Sequence, residues 1–574
     1  MTRVKPKSAT LILLAILLVA GFLRFWQLDH ADVVTDEAFY GIRSLGYLDF
    51  LGTQAQGTPA EWYTTLPWWA HLSFHDHPPL TFVLQHFSLR LLGENAWGLR
   101  VPSAMAGVAV VYLLYLVGRK LKSDAVGLSA AALGAAELYL VWPSRLGLQE
   151  SVTLALLLWT IYLFLCALER PRLWYAVWTV YGLALMSKYT VVVFLPLAIS
   201  YLLLFERRAF YAKPFWIGQG LQGLVTLPLT IYNIALYLDR KHFDLQLSTL
   251  LGIDVPAWRY LPGKEIGTVT ERLANFVPTL WQTASPVLLA TGAFAVIYLL
   301  FHWKQKNSAF ALLAIIWTSL LLLVIGPSPR FLILLMPWLL ISIALSGVEI
   351  CPRLPGWGRP ALVAGLFALV GYGGYYSWVN TFTTEYLAGN RWSFSILRRD
   401  SGSFGYQQLD DVLRQQIDGF KPRQAASVQY PVLQKAIDRG YARDSKKTMK
   451  PLVIAYDADL AWPTPLWYFL RRTLYHGWTA VSTDGLKTAL EEGQFAALVP
   501  QATGTQVLLI VGNTLLERTT DKRTESAEWF AQQLGLASST PTAVIGTAAD
   551  PQFTLWTIPA TRFPPLIVPT PQVR

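Results

Sequence analysis

Long apolar segments separated by short polar connections fill the first two thirds of the chain. A helix that crosses a bilayer needs about 20 largely apolar residues. Applied along the sequence, this requirement predicts about eleven transmembrane helices, at residues 10–26, 101–118, 125–142, 151–168, 174–186, 190–205, 215–236, 286–301, 309–325, 331–345 and 361–376. We therefore expect an α-helical polytopic membrane protein.

The pattern changes after residue 380. Short apolar runs typical of β-strands alternate there with stretches typical of helices; the strand candidates are residues 452–455 and 507–511, and the helix candidates are residues 488–492 and 526–534. We expect a transmembrane domain at residues 1–380 and a soluble α/β domain at residues 381–574, whose proline-rich end, residues 564–574, is irregular.

Composition supports the membrane assignment. The chain has 574 residues, of which 53% are hydrophobic and 14% charged, and its mean hydropathy is +0.37. Soluble domains carry about 25% charged residues. The net charge of +11 comes from basic residues that mark cytoplasmic loops, so we expect no nucleic-acid partner. The two cysteines, Cys166 and Cys351, predict neither a disulfide framework nor a cysteine metal site.

Basic residues fall on alternate connections between the predicted helices, and such loops stay in the cytoplasm. The basic groups are Arg3/Lys5/Lys7, Arg119/Lys120/Lys122, Arg170/Arg172, Arg207/Arg208/Lys213, Lys304/Lys306 and Arg353/Arg359. We expect a multi-pass protein of the inner cell membrane, with a cytoplasmic N-terminus and the C-terminal domain on the exterior, periplasmic side. Residues 239–272 carry five cations on a predicted exterior loop, so a re-entrant segment is the alternative there.

The first predicted exterior loop, residues 27–98, is too long for a simple connection. It is acidic and rich in tryptophan and tyrosine, which favour the level of the lipid headgroups. We expect it to form interfacial helices that lie on the membrane.

Two adjacent acids open this loop. Asp36 and Glu37 follow the first apolar segment directly, and a carboxylate can accept the proton of a hydroxyl nucleophile. Neighbouring residues of a helix point in different directions, so we expect one acid, Asp36, to act as the base and Glu37 to orient a partner or a metal. Tyr40 shares the helical face of Asp36 and is a candidate substrate contact, or else an interfacial anchor. Solvated surface charges are the alternative for the acid pair.

His75-Asp76-His77-Pro78-Pro79 lies later in the same loop. The double proline restricts the backbone and determines where Asp76 and His77 point. Three interpretations stay open: a hydrogen-bonded surface turn, a divalent metal site that uses Asp76 and His77, and direct binding of phosphate by His77. The spacing of these residues matches no established metal motif.

Three cations, Arg145, Lys188 and Arg330, lie at the predicted exterior ends of apolar segments. Charges at such places tend to face a polar cavity, where arginine binds phosphate through two hydrogen bonds and lysine acts as a point charge. Snorkelling to lipid headgroups is the alternative. Lys188 lies between two short segments, which predicts a broken region that lines a cavity. We expect Glu150 to pair with Arg145 and Glu137 to be structural.

An ordered set of short motifs resembles a known family. The set comprises Asp36-Glu37, Asp76-His77-Pro78-Pro79-Leu80, Trp97-Gly98-Leu99-Arg100-Val101-Pro102-Ser103, Gly182-Leu183-Ala184-Leu185-Met186-Ser187-Lys188-Tyr189 and Pro329-Arg330-Phe331. It spans roughly residues 10–350 and resembles the GT-C glycosyltransferases that use lipid-linked sugars. The most similar members are bacterial proteins of the protein O-mannosyltransferase family, which includes the lipid A aminoarabinose transferases.

The resemblance implies a sugar donor carried on a polyprenyl phosphate and used on the exterior face. Asp36 holds the position of the family's catalytic carboxylate, which implies that it accepts the proton of the acceptor hydroxyl in an inverting displacement. Aminoarabinose transferases have Glu-Lys-Pro-Pro at Asp76-His77-Pro78-Pro79; their Glu takes part in a metal site and their Lys contacts the lipid phosphate. This chain has His77 in place of that lysine, and Phe39 in place of an arginine that precedes the tyrosine matching Tyr40.

The acceptor stays open between a lipid, a glycan and a protein. Membrane lipids surround the expected transferase. Two other functions remain as alternatives to it. A non-enzymatic transporter of lipids or solutes usually shows inverted repeats, and we find none in this sequence. A cell-envelope scaffold would use the C-terminal domain as its binding module.

Overall fold

The computed structural model describes residues 6–53, 55–259, 267–383, 390–423, 428–444, 449–458, 460, 464–499, 504–512, 525–546 and 551–563. The proline-rich end at residues 564–574, predicted to be irregular, lies outside these residues. Contacts divide the chain into two compact units. The membrane unit comprises Met1–Leu28, Gln54–Gln56 and Trp68–Gly402, and the C-terminal unit comprises Asp29–Thr53, Gly57–Pro67 and Ser403–Arg574. Much of the first predicted loop therefore belongs to the C-terminal unit.

Helices dominate the described part of the chain. In chain order they are α1 (Pro6–Phe25), α2 (Thr35–Gly46), α3 (Pro59–Trp62), α4 (Leu80–Leu92), α5 (Ala96–Leu121), α6 (Asp124–Ala136), α7 (Leu138–Val141), α8 (Glu150–Ala167), α9 (Trp174–Leu185), α10 (Phe194–Phe205), α11 (Lys213–Val225), α12 (Leu227–Arg240), α13 (Leu245–Leu251), α14 (Val269–Thr283), α15 (Pro286–Phe301), α16 (Lys306–Ile325), α17 (Met336–Ile350), α18 (Gly358–Phe382), α19 (Tyr406–Asp418), α20 (Pro431–Asp444), α21 (Arg471–His476), α22 (Thr483–Glu491), α23 (Phe495–Leu498) and α24 (Glu525–Gln533). Helices α2, α3 and α19 to α24 belong to the C-terminal unit.

Within the described residues, 6 helices are long and apolar enough to cross a membrane, and up to 8 if each bent pair counts as one span. The bent pairs are Asp124–Ala136 with Leu138–Ser144, at 77°, and Lys213–Val225 with Leu227–Arg240, at 57°. Each of the eleven predicted segments falls on a helix or on such a pair. The multi-pass membrane character is therefore confirmed, whereas the number of crossings stays a prediction.

Two arginines hold the bend between α6 and α7 and the end of α1. The bend leaves carbonyl groups without partners inside a helix. Arg24, fully buried, donates hydrogen bonds to the carbonyl oxygens of Ala135, Gly134 and Leu140, at 3.1, 3.2 and 3.0 Å. Arg145 in turn donates to the carbonyl oxygens of Trp26 and Gln27, both at 2.7 Å, just beyond α1. Positive side chains at helix C-termini also stabilise the helix dipole.

The C-terminal unit contains a six-stranded mixed sheet. Its strands are β1 (Lys421–Pro422), β2 (Pro451–Tyr456), β3 (Thr479–Ser482), β4 (Gln506–Gly512), β5 (Ala543–Gly546) and β6 (Pro551–Pro559). The order is β1-β2-β4-β6-β5, and β3 also pairs with β2. The pairs of β2 with β1, β3 and β4 are parallel, and β6 runs antiparallel to both of its neighbours. The predicted strands at 452–455 and 507–511 lie within β2 and β4, so the α/β fold is confirmed.

A buried ion cluster joins α19 to α21 in the C-terminal unit. Asp410 lies 2.6 Å from both Arg471 and Arg472, and 2.9 Å from Arg414. Burial alone would raise the pKa of Asp410, but the guanidinium groups of Arg471 and Arg472 outweigh burial and hold that pKa well below its usual range. The carboxylate is therefore charged at neutral pH and neutralises arginines that are themselves buried.

We expect the substitution Asp410→Asn to destabilise the C-terminal unit by about 3 kcal/mol, because it leaves buried arginines without a counter-charge. The measurement is the thermal midpoint of the purified full chain in detergent. Asp411→Asn, at an exposed position next to it, is the matched control and should leave the midpoint unchanged. The stabilisation from Asp410 should be fully present above about pH 4 and fall as the pH drops further. A midpoint for Asp410→Asn equal to that of the control would contradict this account.

Candidate active site

The acid pair lies in the first turn of α2, in the C-terminal unit. Asp36 is partly exposed, whereas Glu37 and Tyr40 are buried at 1% and 3% exposure. Successive residues differ by about 100° around a helix, so the two carboxylates face different surroundings. Acids in a first turn also stabilise the helix dipole, which is the structural role open to both. Of the two, only Asp36 presents its side chain in part to solvent within the described residues.

The end of α2 carries a buried pair of opposite charges that the sequence did not predict. Arg43 is fully buried and forms a salt bridge with Asp49, which follows the helix. The backbone carbonyl of Asp49 accepts a hydrogen bond of 2.6 Å from the hydroxyl of Thr58. These contacts fix the chain after α2 and explain one of the acids of the loop as structural.

Lys188, Glu150 and Arg330 form a charge cluster in the membrane unit. The Nζ atom of Lys188 donates to Oε1 of Glu150 at 2.7 Å, and Nε of Arg330 lies 3.2 Å from the same oxygen. The side chains of Lys188 and Glu150 are only 4% and 3% exposed. One carboxylate therefore faces two cations, and the carboxylate of Asp400 also acts on Arg330 and opposes the effect of burial on its pKa.

An aromatic ring and a small cavity complete the cluster. Nζ of Lys188 lies 4.9 Å from the centre of the Phe331 ring, within reach of a cation–π interaction. A cavity of about 10 Å³ is lined by Glu150, Lys188, Arg330 and Phe331, together with Thr153 and Thr190. This volume holds about one water molecule. Burial lowers the pKa of Arg330 to about 10, so its guanidinium stays charged at neutral pH.

Each member of the cluster stands at an interruption of helical structure. Glu150 is the first residue of α8, and Lys188 is extended between α9 and a 3₁₀ turn at Tyr189–Val193. Arg330 follows a turn that begins at Gly326, whose φ of +94° favours glycine. The predicted broken region at Lys188 is thus present, and its neighbours line the cavity.

The prediction that Glu150 pairs with Arg145 is wrong. Glu150 pairs with Lys188 and Arg330 instead. Arg145 donates to the backbone carbonyls that follow α1, and its guanidinium carbon lies 4.4 Å from the centre of the Phe382 ring. Sequence spacing suggested the wrong partner because a turn separates Arg145 from α8, so the two residues do not share a helix face. Glu137 lies buried between α6 and α7, at the bend.

The His75–Pro79 loop is tied to the membrane unit by its backbone. The carbonyls of His75 and Asp76 accept hydrogen bonds from the Leu245 amide, at 2.8 Å, and from the Gln246 side chain, at 2.7 Å. Nδ1 of His77 lies 2.8 Å from Oδ2 of Asp76. After the double proline, the Leu80 amide donates to the carbonyl of Met186 at 2.8 Å, which connects the loop to the turn before Lys188.

The metal interpretation of this loop finds no third ligand. In the described part of the chain, no three His, Cys, Asp or Glu side chains are grouped so that they could hold a metal ion. Asp76 and His77 contact each other, and His75 packs its ring against His242 and Trp258 instead. The two side chains, which contact each other, therefore do not form a ligand set that fits a divalent metal.

Sequence reasoning missed two buried polar groups of the membrane unit. Arg24 lies inside the first apolar segment, and a charge inside such a segment is a signal that could have identified it. Asp244 caps α13 and accepts hydrogen bonds from Asn233, at 2.8 Å, and from the Tyr189 hydroxyl. Burial raises the pKa of Asp244, against the effect of these hydrogen bonds. Because Tyr189 follows Lys188, this network supports the backbone beside the charge cluster.

Comparison with known proteins identifies one segment. Residues 76–232 match the family described as dolichyl-phosphate-mannose-protein mannosyltransferase. This range contains Asp76, His77, Arg145, Glu150 and Lys188. A curated relative, the "Putative mannosyltransferase YkcB" of Bacillus subtilis strain 168, is 27% identical over 113 residues. The match covers 20% of this chain and only 14% of that protein.

Two solved structures show similarity along most of the chain. The archaeal oligosaccharyltransferase AglB from Archaeoglobus fulgidus, in complex with an inhibitory peptide and a dolichol-phosphate, has a TM-score of 0.50 and 12% identity, covering 87% of this chain and 69% of that one. ArnT from Cupriavidus metallidurans, bound to undecaprenyl phosphate, has a TM-score of 0.47 and 13% identity, covering 96% of this chain and 98% of that one.

The fold, the family segment and the ordered motifs agree with one another. At 12% identity, the similarity to AglB concerns the fold alone. The family segment covers the part of the membrane unit that carries Glu150 and Lys188. The chain is a multi-pass membrane protein with the GT-C fold and a C-terminal α/β unit, and its residues 76–232 carry the match to the mannosyltransferase family.

Proposed function

We propose that the protein transfers a sugar from a polyprenyl-phosphate donor to a hydroxyl group of an acceptor on the exterior face of the inner membrane. The acceptor hydroxyl attacks the anomeric carbon as the bond to the lipid phosphate breaks, so the configuration inverts. The proton of the hydroxyl goes to a carboxylate, and the bonding electrons leave with the phosphate. Such a reaction needs a base and cations, because phosphate is a good leaving group without a general acid.

The observation that carries the proposal is the cluster of Lys188 and Arg330 around Glu150. Lys188 and Arg330 place two cations side by side in a largely buried site, where Glu150 contacts both and Asp400 also acts on Arg330. Such preorganised charge stabilises the negative charge that develops on a departing phosphate. The cavity beside them holds about one water molecule, so binding of a phosphate requires the side chains around Glu150 to move. The dolichol-phosphate in the AglB complex is of the same chemical class.

We assign the base to Asp36. Its side chain is partly exposed, whereas Glu37 is almost completely buried, and a base must reach its substrate. Glu37 and Tyr40 then support α2 from within the C-terminal unit. Arg145 is left out of the phosphate site because its guanidinium already donates to backbone carbonyls. His77, which lies against Asp76, remains a candidate for a contact with the donor.

The proposed phosphate site predicts that the lipid carrier binds through its phosphate. Native mass spectrometry of the purified full chain should show more bound undecaprenyl phosphate than bound undecaprenol, which has the same chain but no phosphate. Two charge-assisted contacts predict a preference on the order of 100-fold. The variant Arg330→Gln should lose most of this preference while its binding of undecaprenol is unchanged.

The control for this experiment is Arg353→Gln, which alters an exposed arginine at the opposite end of α17. It should bind both lipids like the wild-type protein. Equal binding of undecaprenyl phosphate and undecaprenol by the wild-type chain would contradict the phosphate site and bring forward a transporter or a scaffold. If the wild-type chain prefers undecaprenyl phosphate, transfer assays with a panel of polyprenyl-phosphate sugars would identify the sugar.

A further inference from the structure

The helix that carries Asp36 is part of the C-terminal unit. Its apolar side packs into a cluster made by residues on both sides of the long membrane segment in the sequence: Ile42, Phe50, Ala60, Leu433, Ile437, Leu466 and Leu474. Phe39, on the turn after Asp36, packs against the same cluster. These contacts connect parts of the chain that are about four hundred residues apart in sequence, so they form only when the C-terminal unit folds.

The N-terminal end of α2 is fixed by two side chains. The hydroxyl of Tyr468 accepts a hydrogen bond of 2.8 Å from the Val33 amide. The carboxylate of Asp32, fully buried, accepts hydrogen bonds from the amides of Phe404 and Gln407, the latter at 2.9 Å. The chain then enters the helix through Thr35, whose φ of +52° is unusual for a residue other than glycine. The residues immediately before Asp36 are thus held from the C-terminal side.

The C-terminal end of α2 has its own attachment. The hydroxyl of Tyr475 donates a hydrogen bond of 2.7 Å to the carbonyl of Ile42. The ring of Tyr475 also lies against Gly46, where an added Cβ would come within 2.1 Å of a ring carbon. Only glycine allows this approach without a shift of the ring. Tyrosines of one short segment therefore hold both ends of the helix.

That segment contains an irregular helical turn. Leu466–Leu470 forms a π-helical turn that leads directly into α21, and such turns are frequent at functional sites. Within it, Tyr468 is fully buried and stacks on Tyr406 with ring centres 5.1 Å apart. The ion cluster of Asp410 with Arg471 and Arg472 follows directly and fixes the start of α21. Stacking and ion pairs together determine where the Tyr468 hydroxyl lies.

We propose that the C-terminal unit orients the catalytic acid of the transferase. Tyr468 and Asp32 are positioning residues that fix the first turn of α2, and with it the direction of the Asp36 side chain. This inference rests on the proposed role of Asp36 as the base. It assigns a task to the C-terminal unit that differs from binding the acceptor, and the two tasks affect different kinetic constants.

Tyr468→Phe removes one hydroxyl and leaves the ring that stacks on Tyr406. We expect kcat to fall roughly tenfold, because a small misplacement of a reacting group costs about that much or more, while the donor KM is unchanged. The acidic limb of the kcat pH profile should shift, since it reports the base in the bound complex. Asp32→Asn, which weakens the second attachment, should change the same quantities in the same direction.

Tyr456→Phe is the matched control. Tyr456 belongs to the same unit and stacks on Phe469 with ring centres 4.3 Å apart, but its hydroxyl is not among the attachments of α2. The control should match the wild-type kcat, and the thermal midpoints of all variants should agree within about 2 °C. In the Asp36→Asn background, Tyr468→Phe should cause no further loss, because the group that it positions is gone.

A readout without turnover separates this inference from the proposed function. A spin label at Asp36→Cys, in a chain with Cys166→Ser and Cys351→Ser, reports the mobility of the first turn of α2. Tyr468→Phe should raise that mobility, and Tyr456→Phe should not.

If Asp36→Asn retains transfer while Tyr468→Phe mobilises the label, the proposed function fails and the attachment stands. If Asp36→Asn abolishes transfer but Tyr468→Phe changes neither kcat nor mobility, the orienting role is overturned. A rise in the acceptor KM at constant kcat would also overturn it, in favour of acceptor binding.

Discussion

Asp36→Asn is expected to lower the rate of sugar transfer by about 1,000-fold, the range in which a general base contributes. Asparagine has nearly the same shape but cannot accept the proton of an attacking hydroxyl at neutral pH. Binding of the lipid donor should persist, because its phosphate is bound by other residues in our proposal. The measurement is the release of undecaprenyl phosphate from polyprenyl-phosphate sugars in membranes that contain the native acceptors.

The matched control for this prediction is Asp29→Asn, which removes the same charge from an exposed position of the same unit. It should retain normal turnover. Asp36→Glu, which keeps a carboxylate but moves it by one methylene, should retain part of the activity. A normal transfer rate for Asp36→Asn would contradict the assignment of Asp36 as the base. An equal loss of transfer rate in Asp29→Asn would indicate that the net charge, and not the base, was responsible.

Lys188→Met should lower both turnover and stability, for two separable reasons. Loss of one of two cations removes charge stabilisation of the departing phosphate, for which about 100-fold in kcat is expected. It also leaves Glu150 buried with Arg330 as its remaining cation in this cluster, and breaking a buried pair costs about 3–5 kcal/mol. Turnover and the thermal midpoint of the full chain in detergent are the two measurements.

The double variant Lys188→Met with Glu150→Gln distinguishes these two effects. Removing the carboxylate as well eliminates the uncompensated charge, so most of the stability should return. Turnover should stay low, because the phosphate has still lost a cation. If turnover returned together with stability, Lys188 would only neutralise Glu150, and the phosphate site would have to be abandoned.

Lys122→Met provides a control of matched chemistry. Lys122 also pairs with a glutamate, Glu349, at 2.6 Å, but its side chain is 32% exposed and the pair is remote from the charge cluster in sequence. Glu349 is only 5% exposed and loses this cation in the variant, so stability should fall, whereas turnover should change little. A loss of turnover equal to that of Lys188→Met would show that the assay responds to any lost lysine of the membrane unit.

The local pattern of apolar and polar residues was sufficient to predict the apolar helices and two of the strands. Each predicted apolar segment falls on a helix because the length of an apolar run determines whether it can cross a bilayer. The strands β2 and β4 were recognisable from short β-branched and leucine-rich runs bounded by polar residues. Bends were not predictable in the same way. The break between α6 and α7 depends on Arg24, more than one hundred residues away, which supplies hydrogen bonds to the carbonyls at the bend.

Partners of charged residues were harder to predict than the residues themselves. Lys188 and Arg330 were recognisable as cations beside apolar segments, but the sequence paired Glu150 with Arg145. Nearness in sequence has little value where a turn separates two residues. The metal interpretation of Asp76 and His77 finds no third ligand among the described residues, and such a ligand would have to come from elsewhere in the fold.

The sequence by itself determined that this protein crosses a membrane several times, that an α/β unit follows, and that acids and cations stand beside the apolar segments. These properties follow from hydropathy, periodicity and charge, which are local. Only the tertiary structure decided that Asp36 lies on a helix of the C-terminal unit, held by Tyr468 and Tyr475, and that Glu150 joins Lys188 to Arg330. Contacts between distant residues depend on how the elements pack, and no window of sequence contains both partners.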